Sequence, residues 1–436
     1  MDWKFDGRTN VMFTPAGLDM DGGCGHSLPQ ADQCKKWTSK YWSVTASINT
    51  WTSSMISSFT GTNFSYDDDG ATDGINEKGL GVHLLFLGGT GFSAYKPVAG
   101  GITYLRWVRY LLDTCATVAE AKAAMRDTPI LGVNMEAPLG SATIGSHLAL
   151  EDKSGDSVIF ELVGGTLHQY PKDSDGPDAG FGRDFRVLTN DPPLPDQIAN
   201  RDRFMTLQQD GSLRLACDEL EPPDKSFQDN YYPNRCLPGD INARARFARL
   251  SYFLHYMDDT GKESHVIAAG MRGILFSAVE PPGAPDEEGS AEDAAAGDAA
   301  CTVFGQCAAK TFWYTVTDYK RNLYYFGKYD DLNTVVFDLN SDFLRNSKQI
   351  LYLRCPGFPL SGDVTSKLSL ERPHDAPSMS LSSSLAADNH MEGIILIGGF
   401  ASAAVLTLAL VFKPRNYDLE GKSAALILGE PSQPLL

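Results

Sequence analysis

RVLTNDPPL, residues 186–194, carries an apolar run into Thr189-Asn190 and then meets Pro192-Pro193. Proline lacks an amide proton and fixes φ, so a pair of prolines stops a strand. The segment therefore predicts a strand ending at Asn190. An asparagine there is placed to offer its side-chain amide to a developing oxyanion. Two other stretches have the same strand-turn or turn-helix character. INEKGLGVHLLFL (75–87) sets a polar turn before an apolar strand. LPGDINARARF (237–247) sets a Pro-Gly turn before a helix start, with Arg244 and Arg246 in the first turns. Taken singly, each has an ordinary structural explanation.

The surrounding chain is rich in strand signals. NVMFTP (10–15), SVTASI (43–48), LGVHLLFL (80–87), SHLALED (146–152) and SVIFELVGG (157–165) are short and bounded by turn residues. FWYTVTDY (312–319), NLYYFGKY (322–329) and TVVFDL (334–339) form a late cluster. Apolar spacing predicts helices in 103–127 and 242–257. Thr117 followed three residues later by Glu120 is a capping-box pattern that splits the first of them. Strands, a helical block and returning strands predict an α+β fold of stacked antiparallel sheets.

Composition narrows the function. The chain has 436 residues, 42% of them hydrophobic, with 22 Phe and 17 Tyr, enough for a sizeable core. A net charge of −18 and no basic stripe exclude a nucleic-acid partner. Residues 283–300, within an insertion at about 281–300, are acidic and lack apolar periodicity, which predicts a disordered surface insertion. Of eight cysteines, Cys24/Cys34, Cys217/Cys236 and Cys301/Cys307 are near enough to close short loops, and none has zinc-site spacing. Asn63-Phe64-Ser65 is a glycosylation sequon. SYDDDGATDGIN (65–76) fails as a calcium loop, because Ser65 stands first and Asn76 replaces the bidentate Glu. His83 reads as a hydrogen-bonded core histidine, and the aromatics of 312–326 as sheet packing.

The sequence opens without an apolar signal region. GIILIGGFASAAVLTLALVF (393–412) runs uncharged for about the length of a bilayer core. It predicts a single transmembrane helix after a domain over 1–372 and a Ser-rich linker over 373–392. Lys413 and Arg415 follow it, so the tail (413–436) is expected in the cytoplasm and the N-terminal domain in the lumen or outside. A tail-anchored cytosolic domain is the competing topology.

In their order and spacing, NEKGL (76–80), TNDPP (189–193) and LPGD (237–240) followed by Ala245-Arg246-Phe247 resemble the choloylglycine hydrolase family. These are linear amide C–N hydrolases that include bile salt hydrolases and penicillin V acylases. WTSKYWSVTAS (37–47), HLALEDKSGDSVIFE (147–161) and the NLYYF and VVFDL strands agree, so the resemblance spans residues 1 to about 345. It implies an αββα N-terminal nucleophile fold, two antiparallel sheets between helical layers. Met1-Asp2 matches the end of the family motif GR(T/N)MD, which makes Asp2 a catalytic carboxylate. Asn190 matches the oxyanion asparagine and Arg246 the arginine near the nucleophile. Phe86 falls at a substrate-facing position, where bile salt hydrolases tend to carry Asn and penicillin acylases Tyr.

The implied chemistry uses a mature N-terminal cysteine whose own α-amine, with an ordinary pKa near 8, is the general base. A nearby arginine favours the thiolate, which forms a thioester that water hydrolyses. No metal or organic cofactor is required, and the partner is a small-molecule N-acyl amide. That cysteine is expected about two strands upstream of Met1, and the family arginine just before the Met-Asp pair. Neither is in the sequence: Arg8 belongs to the next block, and Cys24 and Cys34 lie in an insertion. Three readings follow: an amidase whose nucleophile stands on an upstream segment behind a signal sequence, a membrane-tethered pseudoenzyme, or a ceramidase-like lipid amidase.

Overall fold

The computed structural model describes residues 2–3, 9–23, 34–48, 71–87, 99–131, 134–135, 142–143, 145–171, 187–216, 236–280, 310–329, 331–353 and 360–370. The chain divides into two compact units, Met1–Pro377 and Ser378–Leu436, and the second lies outside the described residues. So do the acidic insertion, the sequon, the linker after residue 372, the apolar run 393–412 and the tail. Among the described residues, no helix is long and apolar enough to cross a membrane.

Seven strands follow one another as a meander: β1 (Thr9–Thr14), β2 (Ser43–Ile48), β3 (Asp73–Asn76), β4 (Leu80–Phe86), β5 (Ser146–Asp152), β6 (Ser157–Val163) and β7 (Thr166–Pro171). Each pairs antiparallel with its sequence neighbours. A second sheet holds β8 (Trp313–Asp318), β9 (Leu323–Lys328) and β10 (Thr334–Asp338). Strand β11 (Leu351–Leu353) returns to the first sheet and pairs antiparallel with β1, and β12 (Gly362–Asp363) joins β10 in parallel.

Alternation along the strands makes the layers. Leu80, Val82, Leu148, Leu150, Val158 and Phe160 face helices α1 (Trp107–Thr114) and α2 (Val118–Ala124). On the opposite face Val11, Phe13, Val44, Ala46 and Ile75 pack against Trp313, Tyr324, Phe326, Val335 and Phe337 of the second sheet. Three further helices are α3 (Leu194–Arg201), α4 (Ala243–His255) and α5 (Ser264–Leu275). Helix α5 lies against β8, where the Phe276 ring meets Tyr314 edge-on at 5.0 Å. The result is the expected α+β succession of helix, sheet, sheet and helix.

The capping box splits the first helical segment as predicted. Thr117 Oγ1 accepts Glu120 N at 3.2 Å, and Glu120 Oε2 accepts Ala116 N at 2.7 Å. Two expectations need correction. Residues 187–189 form no strand. The hydroxyl and carbonyl of Thr189 turn to Gln197 and Ala243, and Val187 packs with Leu194, Ile198 and Phe247. The prolines also do not end regular structure. They precede α3, whose first turn carries Pro195, a position where the missing amide proton costs nothing. Helix α5 is not evident in sequence either: it contains Gly270 and Gly273 and has no side-chain cap at Glu263.

A polar cluster bridges the sheets inside this apolar layer. His83 sits between Asp73, which holds its Nδ1, and Glu151, whose Oε1 lies 2.7 Å from Nε2. Tyr319 donates to Glu151 at 2.6 Å, and Tyr324 donates to Asp73 from the second sheet. A Cβ on Gly81 would collide with the Tyr319 hydroxyl, so only glycine leaves room for that bridge. His83 is thus the hydrogen-bonded histidine its sequence setting predicts.

Candidate active site

Asn190 lies in the turn entering α3, and the side chain of Gln197 holds that turn. Gln197 Nε2 lies within donating distance of the carbonyls of Thr189 (3.0 Å), Asn190 (2.5 Å) and Pro192 (2.6 Å). Its Oε1 is 2.7 Å from the Thr189 hydroxyl, which also reaches the carbonyl of Ala243 at 2.9 Å. Ala243 is the first residue of α4, so one buried threonine ties the Asn190 turn to the helix that carries Arg246.

The LPGD turn is organised just as locally. Asn242 caps α4 by accepting Ala245 N at 2.8 Å. Arg249, one turn along, reaches the carbonyls of Pro238 and Asp240 at 2.5 Å each and that of Ser277 at 3.0 Å. Burial and the neighbouring Arg246 charge hold its pKa below the ordinary arginine value. Of the two arginines singled out in sequence, Arg244 is exposed and Arg246 is buried.

Arg246 Nη1 lies 2.6 Å from Glu280 Oε1, and both side chains are almost wholly buried. The Glu280 backbone exchanges two 2.9 Å hydrogen bonds with Thr311: its N–H donates to Thr311 Oγ1, and its carbonyl accepts Thr311 N. Thr311 is the antiparallel partner of Asp2, and Lys310 that of Trp3. One chain of contacts therefore runs from the backbone of Asp2 through Thr311 and Glu280 to Arg246, and through α4 to Thr189 and Asn190.

Phe86 ends β4 and is 37% exposed. It pairs with Ser146, whose neighbour His147 donates from Nδ1 toward Glu161 at 2.9 Å. Both oxygens of Glu161 accept the amide of Leu194 at 3.0 Å, the first residue of α3. The Phe86 end of the first sheet is thereby fastened to the element that follows Asn190.

No described cysteine is available as a nucleophile. Cys34 and Cys236 are disulfide-bonded. Cys115, at the C-terminal end of α1, is a free buried thiol, and burial, with Glu120 adding to it, pushes its pKa up. A thiol in that state is inert.

The model of the linear amide C–N hydrolases of the choloylglycine hydrolase family matches residues 1–352. The chain belongs to this family. A penicillin V acylase of Pectobacterium atrosepticum is 30% identical over 259 residues, covering 58% of this chain and 54% of the relative, so the chain aligns with about half of that protein. A bile salt hydrolase/transferase of Lactiplantibacillus plantarum is 23% identical over 281 residues, covering 64% of this chain and 76% of the relative. Among solved structures, a penicillin V acylase from Agrobacterium tumefaciens superposes with a TM-score of 0.58 at 24% identity, covering 86% of this chain and 93% of that one. A mutant conjugated bile acid hydrolase from Clostridium perfringens gives 0.56 at 18% identity, covering 81% of this chain and 91% of that one. These likenesses support the N-terminal nucleophile fold with its antiparallel sheets.

Within this choloylglycine hydrolase fold, sequence reading missed Gln197, Glu161 and Glu280. Gln197 had a detectable signal, a polar residue on the apolar face of a segment starting at a diproline. Glu280 had none, because it adjoins the acidic run and its partners lie far away in sequence.

Proposed function

We propose that the protein hydrolyses linear amide C–N bonds of N-acyl substrates, using a cysteine contributed by a segment N-terminal to Met1. The observation that carries this reading is the contact chain joining the Asp2 backbone, Arg246 and the Asn190 turn, which the family resemblance assigns to one catalytic centre. The α-amine of the cysteine takes the thiol proton, and the thiolate attacks the carbonyl carbon. The Asn190 amide donates to the resulting oxyanion. The C–N bond breaks, the amine leaves with a proton, and water then cleaves the thioester. Arg246 favours the thiolate and Asp2 orients the amine. The second reading is a pseudoenzyme that binds amides without cleaving them.

N-terminal sequencing of the endogenous protein, joined to an assay on N-acyl amides, separates the two. A mature N-terminal cysteine whose Ser variant loses turnover supports the hydrolase. A native start at Met1 or Asp2 with no turnover leaves the binding domain. For the uncharged run 393–412 we propose a membrane anchor that keeps the amidase domain lumenal or outside and the tail cytoplasmic. Release of the protein by alkaline carbonate, or protease protection of the tail and not of the domain in sealed vesicles whose cytoplasmic face is outermost, would overturn that topology.

A further inference from the structure

We propose that Arg249 is a positioning residue of the candidate site, the bracket that sets Arg246 and Glu280 against each other. The catalytic part of this inference rests on the amidase reading above. Arg246 and Arg249 are three residues apart on α4, a spacing that puts both on one side of the helix. Arg246 meets Glu280 at 2.6 Å with both side chains buried. Arg249 grips the backbone on either side of that meeting. Its Nη1 donates to the carbonyls of Pro238 and Asp240 at 2.5 Å each, in the turn that leads into α4. Its Nε and Nη2 donate to the carbonyl of Ser277 at 3.2 and 3.0 Å, three residues before Glu280. One planar fork therefore joins the start of the helix that carries Arg246 to the segment that carries Glu280.

The chemistry asks for arginine at this position. Burial and the like charge of Arg246 both work against a cation there, while Asp240 works in its favour. The carbonyl dipoles turned toward the guanidinium oppose the first two. The carbonyls are also divided between two edges of the fork, one at Nη1 and one across Nε and Nη2. An ammonium is a single point of charge and cannot span both edges. Each end of the bracket is firm by itself. Asn242 N donates to Asp240 Oδ1 at 3.0 Å, and the Asn242 side chain caps Ala245 N at 2.8 Å. Beyond Ser277, the Glu280 backbone exchanges its two hydrogen bonds with Thr311. Arg249 joins these two firm pieces, so it acts through Arg246 and leaves the reacting atoms to others.

Hydrogen exchange on the full chain tests the bracket, read by mass spectrometry over residues 238–247 and 276–280. In Arg249→Met, which keeps the stem and removes the fork, both segments should lose protection together. The loss should be roughly ten- to a hundredfold, the weight of one or two charge-assisted hydrogen bonds. Strands β5 and β6 should keep their protection. Unchanged protection in the folded variant, or a loss in one segment alone, overturns the proposal. Should the variant fail to fold, exchange of the wild type in rising denaturant decides. Equal opening of the two segments supports a shared bracket, and opening at separate denaturant concentrations refutes it. The catalytic consequence is read on the cysteine-bearing protein. Arg249→Ala should lose about tenfold in kcat on an N-acyl amide with little change in KM. Guanidinium ion should restore that loss, and potassium chloride of equal ionic strength should not. Wild-type kcat in a folded Arg249→Ala protein overturns the positioning role. No turnover in the wild type removes the amidase reading instead, while the exchange result still decides the bracket.

Discussion

Gln197→Leu removes a buried amide that gathers the Thr189, Asn190 and Pro192 carbonyls and the Thr189 hydroxyl into one turn. Leucine fills the space but leaves those carbonyls unsatisfied, a loss of about 2–3 kcal/mol of stability. The Asn190 side chain then no longer has a fixed origin. If the proposed mechanism holds and Asn190 is its oxyanion donor, kcat on an N-acyl amide should fall about 10–100-fold with little change in KM, since such a donor acts on the transition state. Equal losses in kcat for a surface variant of matched stability would refute the positioning role. At this scale Asn190 and Arg246 are singled out by the family resemblance, and the local reading of Asn190 as a strand end gives way to a turn. The sequence conceals Gln197 and Glu280 because their meaning lies in the carbonyls and guanidinium they meet only after folding.

Asn76 shows how a turn motif becomes a joint between elements. Its Nδ2 donates to the carbonyls of Leu112 and Cys115 at 2.8 Å, at the end of α1, and its Oδ1 accepts the amides of Lys78 (3.0 Å) and Leu80 (3.1 Å). Gly79 completes the turn at φ +82°, where a side chain would be strained and would press on Lys153. Asn76→Ala should cost about 2–4 kcal/mol, because a fully buried residue leaves backbone groups on both elements without partners. Urea denaturation checks this, and a shift below 1 kcal/mol, on the order of a surface substitution, would argue against it. Legibility differs between elements for the same reason. Strands β5 and β6 are legible to within two residues, whereas 187–189 looks like a strand, yet its Thr189 carbonyl is met by the Gln197 side chain.

The Asp73–His83–Glu151 cluster spans the whole domain, since its tyrosine donors come from residues beyond 318. Burial alone would push the imidazole toward neutrality, but Glu151 and Asp73 outweigh it and lift His83 well above its ordinary value. Against the same opposing burial, His83 holds both carboxylates below their ordinary range. The histidine's contribution is complete below about pH 6.5 and is lost as pH rises through its elevated folded value. That of the carboxylates is complete above about pH 4.5 and is lost as pH falls through their lowered values. The cluster is therefore at full strength between about pH 4.5 and 6.5. His83→Phe should cost about 2–3 kcal/mol near pH 6, the lower end for breaking a buried ion pair in a site that is one-quarter exposed. Chemical denaturation across pH should also find a flatter profile in the variant; a parallel profile would sever the cluster from the pH response.

Strand β11 has a consequence for the order in which the molecule can form. The meander from β1 to β7 needs only sequence neighbours, yet the outer edge of β1 is covered by residues 351–353. During synthesis that edge stands open until nearly the whole domain has emerged, and closing so long a loop is slow. An uncovered strand edge is a template for another chain. A protein ended after residue 340 should therefore associate through β1, seen as concentration-dependent growth in light scattering, while the full domain should not.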